Sequence, residues 1–229
     1  MSYLAIVERF VSHHFPHASV ALLAGSTARG TRTSTSDIDL LLLGEEIFAD
    51  DRTSLAATYR FEDEIFEVFA YTEAGFTVWA NRGFEQHRPV IAQMLIDGIA
   101  VRGATEHERY KHEWSCKYEA GPTLDPTEAT FRRYVITDLL DDYRDATDPV
   151  ERHILAASLY EKTAELILLS NSRWIGAGKY LPRRLTEFDP DRASALATPL
   201  TESQHDRFAT QIEIELDRAG GRVQEGFQR

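Results

Sequence analysis

The sequence predicts an α+β chain in which a small mixed-sheet domain is followed by an all-α helical-bundle domain. Three observations carry that prediction. Short apolar runs bounded by glycine or acidic turns recur through the first half, at strand rather than helix length. From about His107 onward the apolar spacing becomes helical. Gly121-Pro122 and Asp148-Pro149 then punctuate the second half as breaks.

The elements follow in order. Tyr3 to Phe15 reads as an amphipathic helix, with Leu4, Val7, Phe10 and Val11 at helical spacing and Pro16 as its stop. Ser19 to Ala24 is a short apolar run ending at Gly25, the pattern of a buried strand. A short helix is expected from near Ser26 to Gly30. Asp37 to Leu43 is a second strand, closed by Gly44. Tyr59-Arg60-Phe61 and Ile65 to Tyr71 read as two strands around the acidic turn Glu62-Asp63-Glu64. Pro89 to Asp97 is a helix and Ile99 to Arg102 a last short strand. In the second half, Phe131 to Tyr143 and Val150 to Leu169 are helices, the latter with Leu155, Leu159, Leu166 and Leu169 on one face. Thr201 to Ala219 is expected to be another, starting at a Thr-Glu cap. The division is expected between Gly103 and Glu113, giving domains of residues 1–106 and 107–229.

Bulk composition narrows the function classes. Hydrophobic residues make up 43% of 229, enough for a packed core. A net charge of −12 disfavours nucleic acid backbones and anionic membranes as partners, and tolerates cationic small molecules. Cys116 is the single cysteine, which permits no internal disulfide and fits a cytoplasmic protein. No secretory leader opens the sequence, and no run approaches the roughly 20 apolar residues of a membrane span.

The chemistry concentrates in Gly25 to Asp39. A glycine after a strand allows a sharp turn and lets backbone approach a ligand. Amides at the start of the following helix favour anions, and the Ser26 hydroxyl adds a donor for a phosphate oxygen. Asp37 and Asp39, two residues apart at the start of a strand, project to the same face. Like charges so placed repel unless a cation lies between them, and Mg²⁺ takes oxygen ligands while keeping substrate phosphates in its shell. A third carboxylate would complete such a site. Glu67, set among Phe66, Val68 and Phe69, is preferred over Glu62, Asp63, Glu64 and Glu73, because a carboxylate inside an aromatic strand needs a compensating partner.

The helical half offers weaker signals. Asp138, Asp141 and Asp142 share one helix face, and Glu161 and Glu165 form a second like-charge pair. A solvated acidic face and a polycationic substrate both account for them. Trp174 and Tyr180 fit a core or a cleft wall, His153 a surface position, and Arg132-Arg133 a salt bridge or a phosphate contact.

An apolar strand, Gly25-Ser26, a ten-residue spacer, Asp37-Ile38-Asp39 and then Glu67 on a later strand together resemble the nucleotidyltransferase superfamily with the DNA polymerase beta-like fold. The resemblance covers residues 19–71 and is strongest to minimal and antibiotic nucleotidyltransferases, which pair this domain with a C-terminal helical one. The segment Gly178 to Arg183 also resembles one in aminoglycoside adenylyltransferases where a lysine approaches the triphosphate, which assigns that role to Lys179. The resemblance implies an enzyme using two Mg²⁺ ions held by Asp37, Asp39 and Glu67. Its co-substrate would be ATP or another nucleoside triphosphate, held by Gly25, Ser26, Arg29, Arg32 and Lys179. A nucleoside monophosphate, AMP first, would pass to a hydroxyl of a small acceptor, with a cationic aminoglycoside-like antibiotic as first candidate. The proton would go to Glu67 or to an acid of the helical domain. A homodimer is compatible with the resemblance. The alternatives are an antitoxin-type adenylyltransferase acting on a partner protein and a non-catalytic nucleotide-binding module.

Overall fold

The computed structural model describes residues 3–224. The chain divides into two compact units at Ala120–Gly121.

The first unit is built on a five-stranded mixed sheet, in the order β3-β4-β2-β1-β5. Its elements run α1 (Tyr3–His14), β1 (Val20–Leu23), α2 (Gly25–Ala28), β2 (Ile38–Leu43), β3 (Ser54–Phe61) and β4 (Glu64–Tyr71), then α3 (Glu73–Glu85), α4 (Val90–Asp97), β5 (Ile99–Arg102) and α5 (Ala104–Glu119). The strands β1 and β2 are apolar without alternation because both of their faces are covered. One face receives α1, whose Val7, Phe10 and Val11 are buried against Ile38, Leu40, Phe66 and Val68. Phe10 stacks on Phe66 with ring centroids 4.2 Å apart. Part of the other face is covered by α3 to α5, where Tyr71, Phe76 and Trp114 meet edge to face.

The decisive pairing is between strands distant in sequence. β2 and β4 run parallel, with Asp39 opposite Glu67, while β3 and β4 form an antiparallel hairpin. Glu62 and Asp63 both have positive φ, the backbone of a two-residue turn whose twist matches a hairpin. β3 starts at Ser54, five residues before the expected Tyr59, and alternates half-buried and exposed positions as an edge strand should. α3 was not expected. Thr72 caps it by accepting from the Gly75 amide at 3.1 Å, and its two internal glycines weaken the helical signal. Gly75 is required by contact, since an added Cβ would lie 1.9 Å from the Thr53 carbonyl oxygen.

The second unit is helical: α6 (Pro126–Asp145), α7 (Pro149–Ser170), α8 (Tyr180–Phe188), α9 (Pro190–Thr201) and α10 (His205–Arg218). Asp125, Asp148 and Asp189 each precede a proline, and each accepts from amides of the first turn. Asp-Pro here marks helix starts, with proline at the position whose amide needs no partner. The helix expected over Thr201 to Ala219 is therefore two elements. Thr201 ends α9, Ser203 turns in the left-handed region, and α10 begins at His205. α7 buries Leu159, Leu166 and Leu169 together with Ile136, Leu140, Phe208 and Ile212. The helix α5, which the expected boundary at residue 107 would split, belongs to the first unit.

Candidate active site

The site is assembled where β1 ends and β2 begins beside the turn at Gly25, with the first half of β4 alongside. Gly25 has φ of +61°, and a Cβ built on it would lie 1.7 Å from Asp39 Oδ2. Only glycine leaves room for that carboxylate to rest against the turn. The Ala24 amide donates to the Asp39 carbonyl at 2.9 Å, which ties the strand end to the start of β2. α2 follows as a single turn, whose first amides have no partner within it. The loop from Gly30 to Ser36 is held by its own hydroxyls. Ser36 Oγ accepts from the Thr33 amide at 2.9 Å, and Thr27 Oγ1 donates to the Asp37 carbonyl at 3.5 Å.

Register puts Asp39 and Glu67 on one face as direct neighbours across the parallel pair. Asp37, expected inside the strand, lies just before β2, near enough for its charge to act on Glu67. Asp37 is exposed, while Asp39 and Glu67 are half-buried. Burial raises the Glu67 pKa above the ordinary glutamate value. The negative charge of Asp39, a hydrogen bond that protonated Glu67 donates to that same residue and the charge of Asp37 raise it further. The group that Glu67 faces is thus another carboxylate. Among the described residues the Asp37 carboxylate accepts no hydrogen bond and forms no ion pair, and no three acidic, histidine or cysteine side chains are drawn into a closed metal cage. The donor set is all oxygen and like-charged, which fits Mg²⁺ completing its shell with substrate phosphate and water.

The expected phosphate ligands fare differently. Gly25 and Ser26 lie at the turn, and Arg29 is exposed at the end of α2, with no ion pair among the described residues. Arg32, also expected at the triphosphate, has partners within the first unit. Its guanidinium is ion-paired with Glu64 and lies 4.9 Å from the centre of the Tyr3 ring. Glu64 alternates with Phe66, so Arg32 is drawn to the α1 side of the sheet, opposite the acids. Lys179 belongs to the second unit, exposed beside Tyr180 at the start of α8.

Two of the acids singled out in the second unit have internal partners. Glu165 pairs with Arg132 at 3.1 Å and with Lys162 at 3.8 Å. Asp141 receives two bonds of 2.6 Å from Arg222. His153 is exposed, as expected. Trp174 is buried and Tyr180 is not.

Residues 4–74 match the family described as nucleotidyltransferase domain. This segment is a nucleotidyltransferase domain. The matched residues run from α1 to the start of α3 and include Gly25, Ser26, Asp37, Asp39 and Glu67. A crystal structure of a nucleotidyltransferase-like protein from Exiguobacterium sibiricum 255-15 has a similar fold. It superposes with a TM-score of 0.50 at 11% identity, over 94% of this chain and 74% of that one. At that identity the likeness concerns fold alone. No curated protein matches the sequence. No helix among the described residues is long and apolar enough to cross a membrane.

Proposed function

We propose that the chain is a Mg²⁺-dependent nucleotidyltransferase that moves a nucleoside monophosphate, AMP from ATP first, onto a hydroxyl of a small molecule and releases pyrophosphate. The observation that carries this reading is the in-register pair Asp39 and Glu67, set against the Gly25 turn inside a nucleotidyltransferase domain. Asp37 and Asp39 would hold the metal, which when bound neutralises charge on the transferring phosphoryl group. Ser26 and the amides of the turn hold phosphate oxygens. Arg29 is the cation assigned to the departing pyrophosphate. Glu67, beside Asp39 on the neighbouring strand, takes the proton of the attacking hydroxyl.

The test that needs no acceptor is calorimetric titration with α,β-methylene ATP, with Mg²⁺ and with EDTA. Metal-dependent binding in the wild type that disappears in Asp39→Asn is expected. Equal binding in EDTA, or in Asp39→Asn, would overturn the assignment of the acids to the metal.

A further inference from the structure

The acid face of the sheet is covered unevenly. On β4 and β3 the positions that share a face with Glu67 are Ile65 and Phe69, half-buried, and Ala56, Thr58 and Arg60, all exposed. Thr58 lies directly opposite Glu67, and Arg60 lies opposite Ile65, one pleat repeat towards the end of the sheet where Asp37 enters. The neighbouring cations are committed elsewhere. Arg9 pairs with Glu62 at 2.6 Å and Arg32 pairs with Glu64. Arg60 forms no ion pair or hydrogen bond among the described residues, and neither does the Thr58 hydroxyl.

The strand order gives this open half-sheet a direction. The phosphate turn follows β1, the metal acid Asp39 is on β2, Glu67 is on β4 and Thr58 and Arg60 are on β3. Phosphoryl transfer places the attacking and leaving oxygens roughly in line on opposite sides of phosphorus. With the outer phosphates at the β1 turn, the acceptor hydroxyl arrives over β4 and β3. Strands about 4.8 Å apart put Thr58 roughly 10 Å from the Asp39 position, the span of one sugar-sized ring beyond the reacting hydroxyl.

We propose that the open half-sheet of Thr58, Arg60, Ile65 and Phe69 binds the acceptor, and that this acceptor is a hydroxylated ring compound bearing an anionic group, carboxylate or phosphate, which Arg60 pairs. The inference rests on the nucleotidyltransferase reading of the preceding subsection. Ile65 and Phe69 present an apolar floor for a ring, Thr58 offers a hydroxyl for a ring substituent, and Arg60 is a fork-shaped donor set suited to carboxylate or phosphate. An acceptor of this kind brings its negative charge to the one side of the acids where a cation waits. A polycation would meet Arg60 with like charge.

The test uses the full chain saturated with Mg²⁺ and α,β-methylene ATP, so that donor binding is established before any acceptor is added. Three rings that differ in charge, D-glucuronate, D-glucose and D-glucosamine, are titrated while the Arg60 Nε–H and Thr58 amide signals are followed by ¹⁵N NMR. Glucuronate is expected to shift both signals and to bind at least about fivefold more tightly than glucosamine, as a charge-assisted pair should. Arg60→Gln should remove that preference while donor binding stays as in the wild type, and Arg60→Glu should reverse it. Glucose 6-phosphate against glucose then separates phosphate from carboxylate as the preferred anion. Failure of the donor to bind at all overturns the nucleotidyltransferase reading and this inference with it. Donor binding with a silent Arg60, or with glucosamine preferred by the wild type, overturns the acceptor assignment alone and leaves Arg60 a charged guard on an edge strand. Loss of donor binding in Arg60→Gln would place this arginine on the triphosphate and overturn it as well.

Discussion

The carboxylates of the first unit and those of the second are treated in opposite ways. Glu215 and Glu165 are 1% and 2% exposed, deeper than Glu67, yet each faces two cations. Arg192 and Arg218 hold Glu215, the latter at 2.6 Å, and Arg132 and Lys162 hold Glu165. Glu67 is less buried and faces Asp39, with the charge of Asp37 also acting on it. Depth of burial therefore does not identify the functional acid. A buried carboxylate supplied with cations is part of the scaffold. A half-buried carboxylate whose nearest ionisable neighbours are further carboxylates is maintained against its own electrostatics, and a bound cation is the economical reason.

The comparison predicts that damage to the two sets will be felt in different observables. The largest effect belongs to Asp39→Asn. Transfer activity should fall by about 10²–10³-fold, the usual loss when a group stabilising charge in the transition state is removed, with a thermal midpoint no lower than wild type. Steady-state kinetics beside calorimetry read both quantities, and an unfolded Asp39→Asn would place that residue among the scaffold acids. Glu215→Gln should do the reverse. Leaving Arg192 and Arg218 without their counter-charge should cost about 3 kcal/mol of stability, visible as a lower urea midpoint, while nucleotide affinity in the folded protein is unchanged.

A smaller effect tests the packing of the site. Gly25→Ala introduces a Cβ that meets Asp39 and a side chain at positive φ, a combination expected to cost about 1–3 kcal/mol locally. Affinity for Mg²⁺ and α,β-methylene ATP should drop by about tenfold or more, because either the turn or the carboxylate must move. Wild-type affinity in Gly25→Ala would show that Asp39 has another place to go.

The smallest effect carries the sign of the electrostatics. Glu67 has a raised pKa in the folded protein, so the folded state binds its proton more tightly than the unfolded state does. Its charge leaves stability untouched below the unfolded value. The penalty grows as pH rises from there through the folded value, and is constant above it. Without metal, Glu67→Gln should melt a few degrees above wild type at neutral pH and lose that advantage on acidification towards pH 4. Equal midpoints across that range would mean that Asp39 and Asp37 do not strain Glu67.

Much of this molecule is local and could be read from sequence. The short apolar runs, the helix α1 ended by Pro16, and the Gly25-Ser26 and Asp37-Asp39 pattern need only the alternation and periodicity of single elements. The resemblance then named the domain that the family comparison found over residues 4–74. Other features were misread for local reasons. The Thr-Glu pair at Thr201, expected to start a helix, instead ends α9, while the expected break at Asp148-Pro149 does separate α6 from α7. The glycines that hid α3 are explained by the Thr53 and Arg88-Pro89 backbones they pack against, which lie in neighbouring segments.

What only the tertiary structure decided is which residues meet across long stretches of chain. By itself, the sequence determined that Asp37 and Asp39 lie together at the start of β2, because that follows from chain order. The pairing of Asp39 with Glu67 depends on β2 and β4 running parallel, with β3 formed between them in the chain and placed outside both. The same pairing set Glu64 on the opposite face, where it pairs with Arg32. Arg132 and Arg192, too, reach Glu165 and Glu215 only through helix packing. Periodicity is a property of one element and is written along the chain. Register and charge partnership are properties of two elements, and hydrophobic burial selects them only when the whole unit folds.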